Sequence, residues 1–419
     1  MKKFRNLLTY ALNCVQRYKL RTVVILIALG VAASAFSSVA FMSDGLAREG
    51  TLSLKYAPDL TVQGISAGRQ TLISTRYVNS VLSAATGISG VSERIWGYGN
   101  IGNTLIVIVG IDVDNSATIN QTNAMLGSPD FNQTWASTLE SAYPLESGHF
   151  LDAQSNDTIV IGKGVADLLG ANVGTVLSIL TESNAIKRYV VAGIFDSESS
   201  IYNADMILMN LYAAREFFSI PDDKVTDILV YLSPVDAETK TSLVNVVARQ
   251  LSEFPNCRIL TKDVLLKAQE KTYGDRSGYF SVVWYVILIS VAIVAFNQTV
   301  VVGHESKFEV GLLKALGFST SDIIQVRLIE SLFLGALAGA IGLTVGILYD
   351  SVLGAPVLRD FMLGWANLYP SFPVPILVSL QTVLFTFAVT IVPLLFATVI
   401  PSWLNATVDP DIAMRGARA

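Results

Sequence analysis

Residues Gly303–Ile323 read GHESKFEVGLLKALGFSTSDI, a charged, glycine-bounded stretch between two long apolar runs. It carries Glu305, Lys307, Glu309, Lys314 and Asp322, yet Phe308, Leu312, Ala315 and Leu316 fall at i, i+4, i+7 and i+8. That spacing gives a helix with one apolar face. Gly317 stands where a left-handed residue would end the helix. Ser319 followed by Asp322 has the capping-box spacing that starts the next one. The stretch therefore reads as a short amphipathic helix, stopped and restarted between two spans. A merely solvated connector would show the same periodicity, so the surrounding sequence has to decide.

The chain has 419 residues, 52% hydrophobic and 15% charged, with mean hydropathy +0.51. Soluble domains run about 45–50% apolar and about 25% charged, so the excess belongs in membrane spans. A span needs about 20 mostly apolar residues. Residues 22–42 (TVVILIALGVAASAFSSVAFM), 279–302, 324–349 and 375–400 qualify. The first run exceeds the apolar core of a cleaved signal peptide and follows a long polar lead, so it is expected to be an anchor. In the third, Gly335/Gly339 and Gly342/Gly346 have the small-xxx-small spacing of close helix packing. Arg327 and Glu330 sit near one end and are expected to pair or snorkel. Pro393 is expected to kink the fourth span.

Lys2, Lys3, Arg5, Arg17, Lys19 and Arg21 precede the first span with no acid among them. The positive-inside rule then puts the N-terminus in the cytoplasm. Four spans place 43–278 outside, 303–323 inside, the short loop 350–374 outside, and the tail 401–419 inside. Within 1–21, Phe4, Leu7, Leu8, Ala11, Leu12 and Val15 form one helical stripe. Such a helix is expected along the inner membrane surface, either as a collar or as an elbow that moves with the first span.

Residues 43–278 have the texture of a folded α/β domain. Strands are expected at DLTVQG, VSERIWGYG, TLIVIVGID, DTIVIG, GTVLSIL, RYVVAGIF, DMILMN, TDILVYLS and CRILT. Helices are expected at TRYVNSVLSAATG, GVADLLG, LYAAREFF and PVDAETKTSLVNVVARQLSEF. Both ends read strand–helix–strand, which suggests one α/β lobe from about 56–98 and 225–262 with a β-rich lobe, about 99–224, inserted into it.

Several function classes drop out. Two cysteines, Cys14 and Cys257, and two histidines, His149 and His304, cannot build a Cys- or His-based metal centre or a disulfide framework. There is no G-x-x-x-x-G-K-[ST] phosphate loop, no H-E-x-x-H and no G-x-S-x-G elbow. His149 lies in a turn context and reads as a surface residue. Asp112 and Asp114 read as a solvated strand end. The net charge of −5 argues against nucleic acid as a partner. No catalytic residue, cofactor site or metal site is expected in this chain.

Against that background the order of residues gains meaning. Glu305, Phe308, Glu309, Gly311, Lys314, Ala315, Leu316 and Gly317, followed by Asp322, resemble the cytoplasmic coupling helix of MacB/FtsX-type ABC transporter permeases. The tail is similar to that family's closing pattern through Pro401, Asp409, Pro410, Ala413, Met414 and Arg415, with Asn405 where an alanine is usual. The segment from ESGHF to AGIFDS resembles its extracytoplasmic core domain. The order of one span, a large outside domain and three more spans is also the family's.

The resemblance implies a mechanotransmission permease of the cell membrane. It would have four transmembrane helices and a two-lobed α/β domain of the MacB periplasmic core type. It also implies a separate ATPase subunit binding ATP and magnesium, a second permease chain, and room for an extracytoplasmic adaptor or substrate protein. The cargo would be hydrophobic or amphiphilic: a drug, peptide, lipid, lipoprotein or haem. The alternative is an FtsX-like mechanotransducer that activates a cell-wall hydrolase. A sensor without an ATPase is a third class, and the docking helix argues against it.

Overall fold

The computed structural model describes residues 2–17, 19–76, 88–102, 104–113, 138–181, 185–232, 237–252, 256–269 and 271, scattered positions in 282–296, Lys314, 316–363 and 375–407. These form two compact units, one drawn from 1–46, 273–363 and 374–419, the other centred on 47–272.

In the first unit, α1 (Lys2–Arg17) and α2 (Lys19–Ser53) are followed, after the second apolar run, by α7 (Thr320–Ser351), α8 (Pro356–Leu363) and α9 (Leu380–Thr407). Among the described residues three helices are long and apolar enough to cross a bilayer: Thr22–Ser53, Thr320–Ser351 and Leu380–Val399. The expected span 279–302 lies mostly outside the described residues, including Asn297 and Gln298; positions 282, 285, 286, 288, 289, 292, 293 and 296 are helical. Ile27 and Val31 on α2, Phe333, Ile341 and Val345 on α7, and Phe385 and Phe396 on α9 are exposed. Apolar outward faces of this kind fit lipid as solvent.

Three boundaries differ from the sequence expectation. The helix of the first span does not stop at Met42 but continues to Ser53. The polar residues after Met42 are compatible with helix, and Asp44 and Glu49 find partners there. The fourth helix begins at Leu380 rather than Pro375, because the Ser379 hydroxyl accepts from Thr382 N–H and caps it. At its other end α9 runs through Pro393 and Pro401 to Thr407, so the tail starts helical. The loop 350–374 contains the short helix α8.

The second unit is built on β1 (Leu60–Ser66), β2 (Arg69–Thr71), β3 (Ile73–Ser74), β4 (Ile88–Ile101), β5 (Thr104–Ile111), β6 (Leu145–Gly148) and β7 (Thr158–Gly162). It continues through β8 (Val176–Leu180), β9 (Ile186–Phe195), β10 (Met206–Asn210), β11 (Lys224–Val225), β12 (Asp227–Leu232) and β13 (Cys257–Thr261). Its helices are α3 (Lys163–Leu169), α4 (Ser200–Asp205), α5 (Leu211–Phe218) and α6 (Ala237–Ser252). The eleven-stranded sheet runs β13-β1-β12-β4-β5-β10-β7-β9-β6, with β2 on β1 and β8 joining β4 to β9. The expected helix at 75–87 falls, beyond Arg76, outside the described residues.

The strand–helix–strand ends do come together, as β13-β1-β12-β4. The expected lobe boundary at 98/99 falls inside β4. That strand pairs with β12 through Asp227↔Arg94 and with β5 through Tyr98↔Val107. Residues 88–94 of β4 thus pair with the outer segment and 94–101 with the inserted one, so two halves of the sheet meet in this strand.

Alternation explains why the strands read as unbroken apolar runs. Ile106, Ile108, Ile159, Ile161, Ile207 and Ile228 face one core. Their neighbours Val109, Val160, Leu208 and Leu229 face a second. Successive side chains point to opposite faces, so a sheet buried on both sides needs apolar residues at every position. Helices α3, α5 and α6 cover the first face, through Val165, Phe217 and Val247 among others. Among the described residues the second face is covered by Leu139, Tyr143, Leu151 and Tyr202. Asp112, expected at a solvated strand end, is only 3% exposed. Burial pushes the Glu93 carboxyl up to about 7, and Arg215 at 2.8 Å pulls it back.

Candidate coupling site

The opening stretch is described from Lys314 onward, with Ala315 left out; Glu305, Phe308, Glu309 and Gly311 lie outside the described residues. Lys314 is helical, and Gly317 turns left-handed at φ +92°, its N–H donating to Lys314 C=O at 3.0 Å. Among the described residues no heavy atom stands within 4 Å of where a Cβ would sit. Glycine is therefore needed for its φ, not for space. Two residues on, the Ser319 hydroxyl accepts from Asp322 N–H while the Asp322 carboxylate accepts from Ser319 N–H, each at 3.2 Å. This reciprocal box starts α7. Leu316, just before the stop, is 69% exposed.

Phe318, which no sequence pattern singles out, connects this corner to the rest of the unit. It packs with Leu7, Tyr10 and Ala11 of α1 and with Val326 and Ile329 of α7. The stripe of α1 thus points at protein through Leu7, Ala11 and Val15, all buried, while Leu8 is exposed. A helix expected to lie on the membrane surface is docked on the first turns of α7. Thr22 Oγ1 donates to Val15 C=O at 3.0 Å, fixing the bend from α1 into α2.

The four glycines of α7 divide by face. A Cβ on Gly335 would stand 3.0 Å from Ile391 Cα, and one on Gly339 would stand 2.8 Å from Phe387, both on α9. A Cβ on Gly342 would collide with Ala33, and one on Gly346 with Ser37, both on α2. The expected packing pairs therefore serve two different partner helices. Polar contacts flank them: Ser331 Oγ donates to Thr398 Oγ1 at 2.8 Å, and Arg327 pairs with Glu330 at 2.8 Å. At the other end the Asp44 carboxylate accepts from Ser379 Oγ and Thr382 Oγ1, at 2.8 and 2.7 Å, and Ser38 donates to Asp350. Hydropathy hides Asp44 and Asp350, because a single acid at a span end looks like solvated flank.

Residues 22–244 match the MacB-like periplasmic core domain, and residues 281–410 match the FtsX-like permease C-terminal region. The chain belongs to the MacB/FtsX-type ABC transporter permeases. An ABC transporter permease of Methanocaldococcus jannaschii is 27% identical over 220 residues, covering 52% of this chain and 54% of that one. The lipoprotein-releasing system transmembrane protein LolC of Neisseria meningitidis is 23% identical over 223 residues, 48% of this chain and 49% of its own. The macrolide export ATP-binding/permease protein MacB of Escherichia coli K12 is 32% identical over 103 residues, 25% of this chain and 15% of its own. The permease thus spans about half the length of the first two relatives, and less of the third. Among solved structures, the periplasmic region of MacB from Actinobacillus actinomycetemcomitans aligns with TM-score 0.34 at 14% identity, over 50% of this chain and 92% of that one.

The permease is a membrane protein with a large extracytoplasmic domain. Pro401 of its tail motif lies in α9, whereas Asp409, Pro410 and Arg415 lie outside the described residues. Among the described residues no group of His, Cys, Asp and Glu could hold a metal ion. His149 is exposed, and neither Cys14 nor Cys257 is in a disulfide.

Proposed function

We propose that this permease couples ATP hydrolysis by a separate ATPase subunit to movement of its outside domain. In this reading the helix that ends at Gly317 docks on the ATPase. Its push passes through the capped start of α7 and, by way of Phe318, into α1 and the first span. Two permease chains, identical or not, and two ATPase chains form the working unit. The termini and the 303–323 helix face the cytoplasm. ATP and magnesium bind only the partner, and the cargo is a hydrophobic or amphiphilic compound taken up outside.

One observation carries the reading: a helix is halted by a left-handed glycine and restarted by a capping box within a few residues. That design keeps the short helix outside the span yet rigidly joined to it. The exposure of Leu316 supports a docking face. To test it, the permease is purified from its native membrane and the ATPase that comes with it is measured. The double variant Glu309→Ala with Gly311→Val should lose that ATPase while staying folded; full retention would overturn the coupling assignment. If ATP turnover in lipid responds to a protein partner and to no small amphiphile, the mechanotransducer alternative takes over.

A further inference from the structure

A cavity of about 300 Å³ opens into the second unit on the second face of its sheet. Its wall is apolar through Leu52, Val109, Leu139, Leu229 and Leu265, and Tyr56, Tyr143, Tyr202 and Tyr231 also line it. Small-molecule sites begin at about this size and combine an apolar wall with a few placed polar groups. Here the polar group is Arg94.

The guanidinium of Arg94 is held from behind. Asp227, whose side chain is fully buried, accepts from Arg94 Nε at 3.1 Å and Nη2 at 2.6 Å on one oxygen. Its other oxygen accepts from Gln63 Nε2 at 2.9 Å and Gln70 Nε2 at 3.0 Å. The carboxylate is saturated, while Arg94 Nη1 has no hydrogen bond among the described residues and the side chain keeps 32% exposure. A second arginine adds to the network, because Arg258 Nη2 donates to Gln63 Oε1 at 2.7 Å. Two guanidiniums thus stand against one acid, which favours an anion.

The acid on the rim, Glu198, is already paired with Lys55 at 2.7 Å. The Tyr202 hydroxyl is taken by Ser53 C=O, whereas that of Tyr143 has no hydrogen bond among the described residues. Burial holds the Tyr143 hydroxyl far above its ordinary range, so it remains a neutral donor.

We propose that this cavity binds a single-chain amphiphile with an anionic head. The tail lies among Leu139, Val109, Leu229 and Leu265, and the head accepts from Arg94 Nη1 and Tyr143 Oη. That the ligand is cargo rests on the permease reading above; that it binds does not.

The test is photolabelling of the full chain in lipid nanodiscs with a diazirine-bearing dodecanoic acid, followed by mapping of the labelled peptides. Label is expected on peptides containing 52–58, 138–143 and 229–231, displaced by unlabelled dodecanoate. Ala142→Trp and Leu265→Trp should each cut this label several-fold, leaving label on the spans unchanged. Tyr143→Phe and Arg94→Gln should weaken competition by dodecanoate about tenfold or more while barely affecting its methyl ester, since each removes a charge-assisted bond to the carboxylate and tenfold is about 1.4 kcal/mol. Wild-type label confined to the spans overturns the proposal, as does cavity label undiminished in both folded tryptophan variants. Either result leaves the co-purifying ATPase untouched, and loss of that ATPase leaves the label intact, so the two readings fail separately.

Discussion

The two units of this chain hold their cores together in opposite ways. The outside domain fills both faces of its sheet with large side chains: Ile106, Ile108, Ile159 and Ile161 on one, Phe195 and Leu208 on the other. In the membrane unit α7 meets its neighbours at Gly335, Gly339, Gly342 and Gly346, where its bare backbone lies against Ile391, Phe387, Ala33 and Ser37. The difference follows from the solvent. In water, burying apolar area drives folding, so bulk is favoured. Lipid is as apolar as leucine, so helices gain from close contact and from hydrogen bonds such as Ser331–Thr398.

The sharpest test of this contrast is truncation in the outside domain. Phe217, packed edge-on to Phe218 at 4.9 Å and 2% exposed, should cost about 3–5 kcal/mol on replacement by alanine. Proteolysis and denaturant unfolding should show the domain destabilised. A loss below about 1 kcal/mol would mean the sheet's bulk is not what holds it.

Enlargement is the matching test in the membrane unit. Gly342→Leu should push α2 from α7, costing about 1–3 kcal/mol or more and reducing the monodisperse fraction in detergent. Gly354→Leu, at a site with open space around it, controls for size but not for its positive φ of +66°, and should be milder. Equal behaviour of the two variants would break the packing argument.

Electrostatics sharpens the comparison further, through a buried acid of the outside domain. Burial raises the Asp205 carboxyl to about 6. The folded state then holds its proton where the unfolded state has lost it, so stability falls as pH rises from about 4 through 6. Asp205→Asn should raise stability above pH 6 by about 1–2 kcal/mol and change nothing below pH 4. A gain that is equal at all pH values would point to packing instead. The smallest effect on stability is expected at Gly317: Gly317→Ala should cost about 1 kcal/mol by forcing a side chain into left-handed backbone. Its effect on ATPase-driven turnover should be larger than that figure suggests, and turnover equal to wild type would detach this corner from coupling.

Much of the fold is legible in the order of residues. Strands buried on both faces announce themselves as apolar runs, and every expected strand has its counterpart among β1 to β13. Gly317 and the Ser319–Asp322 box are readable because caps are local chemistry, set within a few residues. Boundaries are less readable. Hydropathy ends the first span at the first polar residues, yet Glu49 is buried and accepts from Ser200 N–H at 2.8 Å, a partner 151 positions away. The lobe boundary at 98/99 is displaced for a similar reason: where β4 exchanges one partner strand for another, at Arg94, is not written in the strand itself.

Composition, span hydropathy, caps and the order of residues around Glu309 and Gly317 determined by themselves that this is a membrane permease of its family, with a large outside domain. These signals depend on neighbours in sequence, where spacing alone sets which face a side chain takes. Only the tertiary structure decided that Gly335 and Gly339 serve α9 while Gly342 and Gly346 serve α2. It alone placed α1 against Phe318 and joined Arg94 to Asp227 at the edge of a cavity. Each of those facts is a meeting of residues far apart along the chain. Their distances are fixed by packing, and no local pattern carries them.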